Sequence, residues 1–120
     1  MSRLMARSLR QLTRVMRMRS IRLWVDDERL AAPGFNVRAS TYEEAIGYLD
    51  TGRVVLMSLD HDLGTGKSGY DIAKWIEERA FLHLIPRIDW RIHGSDPGYA
   101  SSMEQALRNA DKFWSCGRAG

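Results

Sequence analysis

From Ile21 onward the apolar positions change period several times, and each change marks a new element. Ile21-Arg-Leu-Trp-Val25 is a short run, apolar enough to lie inside a sheet, and it stops directly at Asp26-Asp27. Glu28 to Gly34 closes on Pro33-Gly34, a pair with turn chemistry, and predicts a loop. Phe35-Asn-Val-Arg-Ala39 alternates, which predicts a strand with one more exposed face. Ser40 or Thr41 then caps a helix, with Glu43 or Glu44 three residues on as a capping box. Tyr42, Ala45, Ile46 and Leu49 form its buried stripe, and Gly52 stops it.

Val54 to Leu59 is the most continuous apolar run and predicts a central strand; it too ends in carboxylates, at Asp60 and Asp62. A glycine-rich loop, Gly64 to Gly69, leads into a second helix opened by Ser68 and Asp71, with Ile72, Trp75, Ile76 and Ala80 inward. Arg87 to His93 alternates cleanly: Ile88, Trp90 and Ile92 share one face, Asp89, Arg91 and His93 the other. That pattern suits an edge strand. The last helix runs from about Tyr99 to Trp114 on a stripe of Met103, Ala106, Leu107, Ala110 and Trp114. All four tryptophans, Trp24, Trp75, Trp90 and Trp114, read as core. The order β, β-α, β-α, β-α predicts an α/β fold, a parallel sheet of about four strands with three helices and right-handed crossovers.

Charge divides the chain in a way that periodicity does not. The formal net charge is +3, yet residues 1–22 carry seven arginines and no acid. Taking those seven from 18 basic residues leaves 11 against 15 acidic ones, so the body from Leu23 is net acidic. The overall pI therefore gives no support to a duplex-binding reading of the body. Residues 1–20 form a separate basic segment with near-helical apolar spacing at Leu4, Met5, Leu9, Leu12, Val15 and Met16. Three readings fit it: translation that starts at Met16 or Met18, an amphipathic arm touching RNA or an acidic membrane surface, or a transit peptide. The expected organisation is this arm over 1–20, one domain over 21–115 and a loose tail over 116–120. The single cysteine, Cys116, cannot form an internal disulfide, which makes a reducing cytoplasm the default expectation. No run of 18 apolar residues exists to span a membrane.

In open parallel sheets, ligands sit beyond the carboxyl ends of the strands. Three predicted strands deliver polar groups there: Asp26 and Asp27, then Asp60, His61 and Asp62, then His93. Acids and histidines gathered at one sheet edge point to a single phosphate-handling site.

The paired acids after the first strand and the aspartate after the third resemble response-regulator receivers, whose fold (flavodoxin-like) the resemblance implies. In those, residues at the places of Asp26, Asp27 and Asp60 hold Mg²⁺ and accept a phosphoryl group. No fifth strand brings the lysine that receivers place on the phosphoryl oxygen, and His93 replaces the Ser or Thr of the fourth strand. The chain is more similar to a divergent family, the cyclic-phosphate-processing receiver domains, over roughly Arg22 to Met103. The likeness rests on Leu23-Trp-Val-Asp-Asp-Glu-Arg29, Ser58-Leu-Asp-His-Asp-Leu-Gly64, Ser68-Gly-Tyr-Asp71 and His93-Gly-Ser-Asp-Pro-Gly98. That family's last motif usually reads His-Ser-x-Asn-Pro, so Gly94 and Asp96 depart from it. The resemblance implies a cyclic nucleotide or a cyclic-phosphate RNA end as substrate.

Opening a cyclic phosphodiester needs a water deprotonated on one side and a leaving alkoxide protonated on the other. Two imidazoles suit those tasks, so His61 and His93 are the candidate acid and base, with Asp60 or Asp62 fixing a tautomer. Arg29 is the candidate bidentate phosphate ligand. Gly64, Gly66, Asp62 and Asp96 are candidate substrate contacts, with the helix starting near Ser68 adding its dipole. A rival arrangement uses Mg²⁺ or another divalent ion on Asp26, Asp27 and Asp60, hard oxygen ligands of the kind it accepts. Plainer roles also fit. Asp26 or Asp27 would cap N–H groups of the next loop, Asp62 would be structural, and Asp96-Pro97 would form a turn or N-cap. His61, His93 and His83 would be satisfied structural imidazoles, and the Gly64–Gly69 loop a mere connection, since it lacks Walker spacing. The functional expectation is a cyclic phosphodiesterase; the alternatives are a non-catalytic nucleotide-binding module and a phosphoacceptor.

Overall fold

The computed structural model describes residues 20–64, 66–94 and 97–116. Its strands are β1 (Ile21–Val25), β2 (Val37–Ala39), β3 (Val54–Asp60) and β4 (Asp89–His93), all parallel, in the order β2-β1-β3-β4. The helices are α1 (Tyr42–Leu49), α2 (Gly69–Phe81) and α3 (Pro97–Cys116). This is the receiver-like α/β fold, with the expected strand and helix counts and β4 at an edge. The expectations for the basic segment 1–19, for Asp96 and for the tail 117–120 lie outside the described residues. No helix among the described residues is long and apolar enough to cross a membrane.

Strand parity separates the two sheet faces. Leu23, Val25, Met57 and Leu59 are fully buried and pair in register with Val37, Ala39, Trp90 and Ile92. Residues of the opposite parity include the exposed Arg22, Arg38, Asp89 and Arg91. All three helices pack on the first face. Ala45 and Leu49 of α1, Ile72 and Ile76 of α2, and Met103 and Leu107 of α3 join one buried cluster with those strand residues. The Trp90 indole donates to Asp111 of α3 at 3.1 Å, and Trp114 donates to the Ile85 carbonyl at 3.1 Å. Asn109 of α3 donates to Glu77 of α2 at 2.6 Å. Among the described residues the molecule therefore has two layers, with the helices on one face of the sheet.

Local signals decide where the elements begin and end. Thr41 caps α1, its hydroxyl accepting the Glu44 N–H at 3.1 Å. Ser68 opens α2 in a capping box whose Asp71 carboxylate accepts the Ser68 N–H at 2.8 Å. The end of α2 is closed by His83 at φ +55, where the His83 and Leu84 N–H groups reach the Ala80 and Arg79 carbonyls. That pattern is a helix-ending motif usually held by glycine, so His83 is an exposed structural residue. The strand expected over 35–39 is shorter, Val37–Ala39. Asn36 interrupts it because its side-chain oxygen takes the Arg22 N–H at 2.8 Å, a donor the ladder would otherwise use. The last helix starts earlier than expected, at Pro97, a residue suited to a first helical turn.

Gly69 ties α2 to the end of β3. Its N–H donates to the His61 carbonyl at 2.8 Å, and a Cβ there would run into the backbone carbonyl of Asp60. Gly69→Ala is expected to lower unfolding free energy by about 1–3 kcal/mol in urea titrations, because backbone must shift to admit the methyl group. A neutral effect would show that α2 is not pressed against β3.

Candidate functional site

β1, β3 and β4 end together, and the buried carboxylate of Asp26 lies at their junction. Asp26 has no exposed surface. Its Oδ1 accepts the N–H groups of Glu28 at 2.8 Å and Arg29 at 2.9 Å, and its Oδ2 lies 2.9 Å from His93 Nε2. The other ring nitrogen, Nδ1, lies 2.6 Å from Ser58 Oγ. Facing a carboxylate, Nε2 carries the proton, so in the neutral ring the Ser58 hydroxyl donates to Nδ1. The imidazole also stacks on Trp24, with centroids 4.0 Å apart and planes 10° from parallel. Trp24 is held in turn by the edge of Phe35 and by donating its indole N–H to the Arg29 carbonyl at 3.1 Å. His93 is thereby fixed in plane, tautomer and direction.

Asp60 stands directly opposite His93 in the β3–β4 register. One ligand atom each from Asp26, Asp60 and His93 falls within 4.8 Å of the others. Burial alone would raise the Asp26 pKa, but the Arg29 and Glu28 N–H groups and His93 outweigh it and hold the carboxyl below its ordinary range. Asp60 shifts upward, through burial and the negative charge of Asp26, partly offset by His93. Gly94, at φ +124, makes room for this second acid, since a Cβ there would lie 2.5 Å from Asp60 Oδ1. Gly64, at φ +80, does the same for Asp27, whose Oδ2 would be 2.9 Å from a Cβ.

A cleft of about 460 Å³ opens over this junction. Asp26, Asp27, Arg29, Asp60, His61, Asp62 and His93 all line it, so most of the expected site converges. Among the described residues, no side chain pairs with the Arg29 guanidinium, and Arg29 is exposed. Other expectations change. Asp62 Oδ1 accepts the Gly64 N–H at 2.9 Å, so that donor is already engaged, and Gly66 does not line the cleft. At the start of α2 the Asp71 carboxylate accepts the Ser68 N–H in a capping box, and neither residue lines the cleft. Ala100, in the first turn of α3, lines the cleft instead. The tautomer of His93 is set by Asp26, not by Asp60 or Asp62.

Sequence reasoning passed over Ser58, Gly94 and the site role of Trp24. Ser58 left one signal: it is the lone polar residue inside an apolar run, on the same strand face as Asp60. Trp24 shares that face through its pairing with Ser58.

The carboxylates suit a hard cation. Asp26 and Asp60 are like charges in close range, and burial together with the Asp26 charge raises the Asp60 pKa. His93 suits it less, because both ring nitrogens are already engaged. Asp26 and Asp60 are the acids placed to hold a divalent ion, and Asp27 lines the same cleft without joining their cluster.

With this geometry stands a family match. The model of the cyclic-phosphate processing receiver domain matches residues 21–109. The chain belongs to this family. Comparison with curated proteins and with solved structures returns no match. Family membership carries a connection to cyclic-phosphate processing, and it covers every strand and both loops that bear the carboxylates.

The two acids make opposite contributions to stability. The folded-state pKa of Asp26 lies below its unfolded value near 3.8, so its contribution is full above that pH and is lost as pH falls through the folded value. The folded pKa of Asp60 lies above 3.8, so its contribution is present below that pH and is lost as pH rises through the folded value. In urea titrations at pH 7, Asp60→Asn is expected to stabilise the protein. Asp26→Asn is expected to destabilise it by about 1–3 kcal/mol, through poorly matched buried donors. Both differences should shrink toward pH 3; shifts of the same sign would refute the assignment.

Proposed function

We propose that the cleft binds the cyclic phosphate of a nucleotide or of an RNA end and hydrolyses it by histidine-based proton transfer. The observation that carries this reading is the Ser58–His93–Asp26 hydrogen-bond chain, set beside Asp60 in a cleft that also takes His61 and Arg29. A water oxygen attacks phosphorus, one ribose P–O bond breaks, and the departing oxygen receives a proton while the attacking water loses one. His61 and Asp60 line the cleft and are suited to exchange those protons; a carboxyl with a raised pKa transfers one more readily near neutrality than an ordinary aspartate. His93 takes part from a fixed orientation, held by its hydrogen bond to Asp26. Arg29 fits the non-bridging phosphate oxygens.

A divalent ion on Asp26 and Asp60 would neutralise the carboxylates and draw charge from the phosphate. Its readout apart from turnover is thermal: added Mg²⁺ should raise the melting temperature of the native chain and leave that of Asp60→Asn nearly unchanged. Equal shifts in both proteins would remove Asp60 from the ligand set.

The reaction is tested by incubation with 2′,3′-cyclic and 3′,5′-cyclic nucleotides, with and without EDTA. His61→Ala and His93→Ala should each lower turnover by about 10²–10⁴-fold. A second reading, a regulatory module that binds without turnover, draws on the engagement of both His93 nitrogens. It predicts saturable binding by calorimetry with the nucleotide recovered unchanged. Absence of turnover, or turnover indifferent to both histidine substitutions, would overturn hydrolysis.

A further inference from the structure

The sheet face that no described helix covers carries Ser58 and Trp24 toward the cleft, but its arginines have no role in the proposed reaction. In register, Arg38, Trp24, Ser58 and Arg91 form one row across all four strands. With strands about 4.8 Å apart, the arginines end that row at a separation of about 14 Å. In the adjoining row lie Arg22, Leu56 and Asp89. Arg22, Arg38 and Arg91 are exposed, and Phe35 and Leu56 offer half-buried apolar surface between them. Asp89 is the acid in these two rows, and Arg87 stands 3.8 Å from it.

The cations on this face are available for a ligand. Arg22 and Arg38 each use Nε on a backbone carbonyl, of Gly34 at 2.6 Å and of Asp26 at 3.2 Å, which leaves their terminal amino groups for phosphate. Arg91 has no side-chain partner among the described residues. The helix layer on the other side carries more acids than bases, so positive charge is concentrated on the open face despite the acidic body.

We propose that this face docks single-stranded RNA and leads its end into the cleft. Exposed arginines spread across the strand rows, with Phe35 and Leu56 half-buried among them, suit an unpaired strand better than a compact ligand. The choice of RNA rests on the cyclic-phosphate reading, because a 2′,3′-cyclic end requires a 2′-hydroxyl. Docking itself requires no turnover.

The test uses the full chain and a labelled single-stranded RNA of about ten nucleotides that ends in a 3′-hydroxyl, followed by fluorescence anisotropy across a salt series. Arg91→Gln should weaken binding and lower the slope of log affinity against log salt by about one, and Arg22→Gln should add to the loss. Arg91→Lys, which keeps the charge and controls for folding, should retain most affinity. Turnover of a mononucleotide should be unchanged in all three. No RNA binding, binding only to phosphatidylserine vesicles, or affinity and slope indifferent to both glutamine substitutions would each overturn the proposal. Because the RNA has no cyclic phosphate, a failure here leaves the hydrolytic reading standing, and failed hydrolysis leaves docking standing.

Discussion

The carboxylate of Asp26 is the point on which the site depends. It is fully buried, and burial of an ionised acid is costly unless every acceptor is matched. Two loop N–H groups and the His93 ring supply that match. The same three bonds turn the chain out of β1, fix the start of the following loop and orient an imidazole from β4. Backbone geometry and site geometry are therefore held by one group, and neither can be altered without the other.

Around that anchor the molecule keeps a conflict. Asp60 is brought beside a carboxylate that stays ionised, and its own charge is disfavoured there. Gly94 and Gly64 open the space that Asp60 and Asp27 occupy, at backbone conformations that suit glycine. Such an arrangement costs stability where Asp60 is ionised. The layering complements it: with the described helices on one face, the cleft adjoins the opposite sheet face, which carries exposed arginines.

Much of this was legible from residue order alone. Strands that stop abruptly at acids predicted the sheet edge, and Asp26, Asp60, His61 and His93 do meet in one cleft. What misled was local chemistry that looked free but is engaged. The α2 N-terminus carries its own Asp71, and the Gly64 N–H is already taken by Asp62. Asn36 shortened β2 because a side-chain amide competes with a backbone ladder, and strand alternation does not show that competition. Trp24 read as core because it is large and apolar, and it is indeed nearly buried, but it is buried against an imidazole.

The sequence by itself determined the elements, their parallel order and the edge at which the carboxylates gather, because period, caps and strand ends are local properties. Tertiary structure decided which partner each polar group takes. Ser58, His93 and Asp26 are separated by 35 and 67 residues across their two contacts, so only the β1–β3–β4 register could bring them into one chain. It also decided that the three described helices share a single face, since that follows from the packing of α3 against α2 and Trp90 and not from any spacing along the chain.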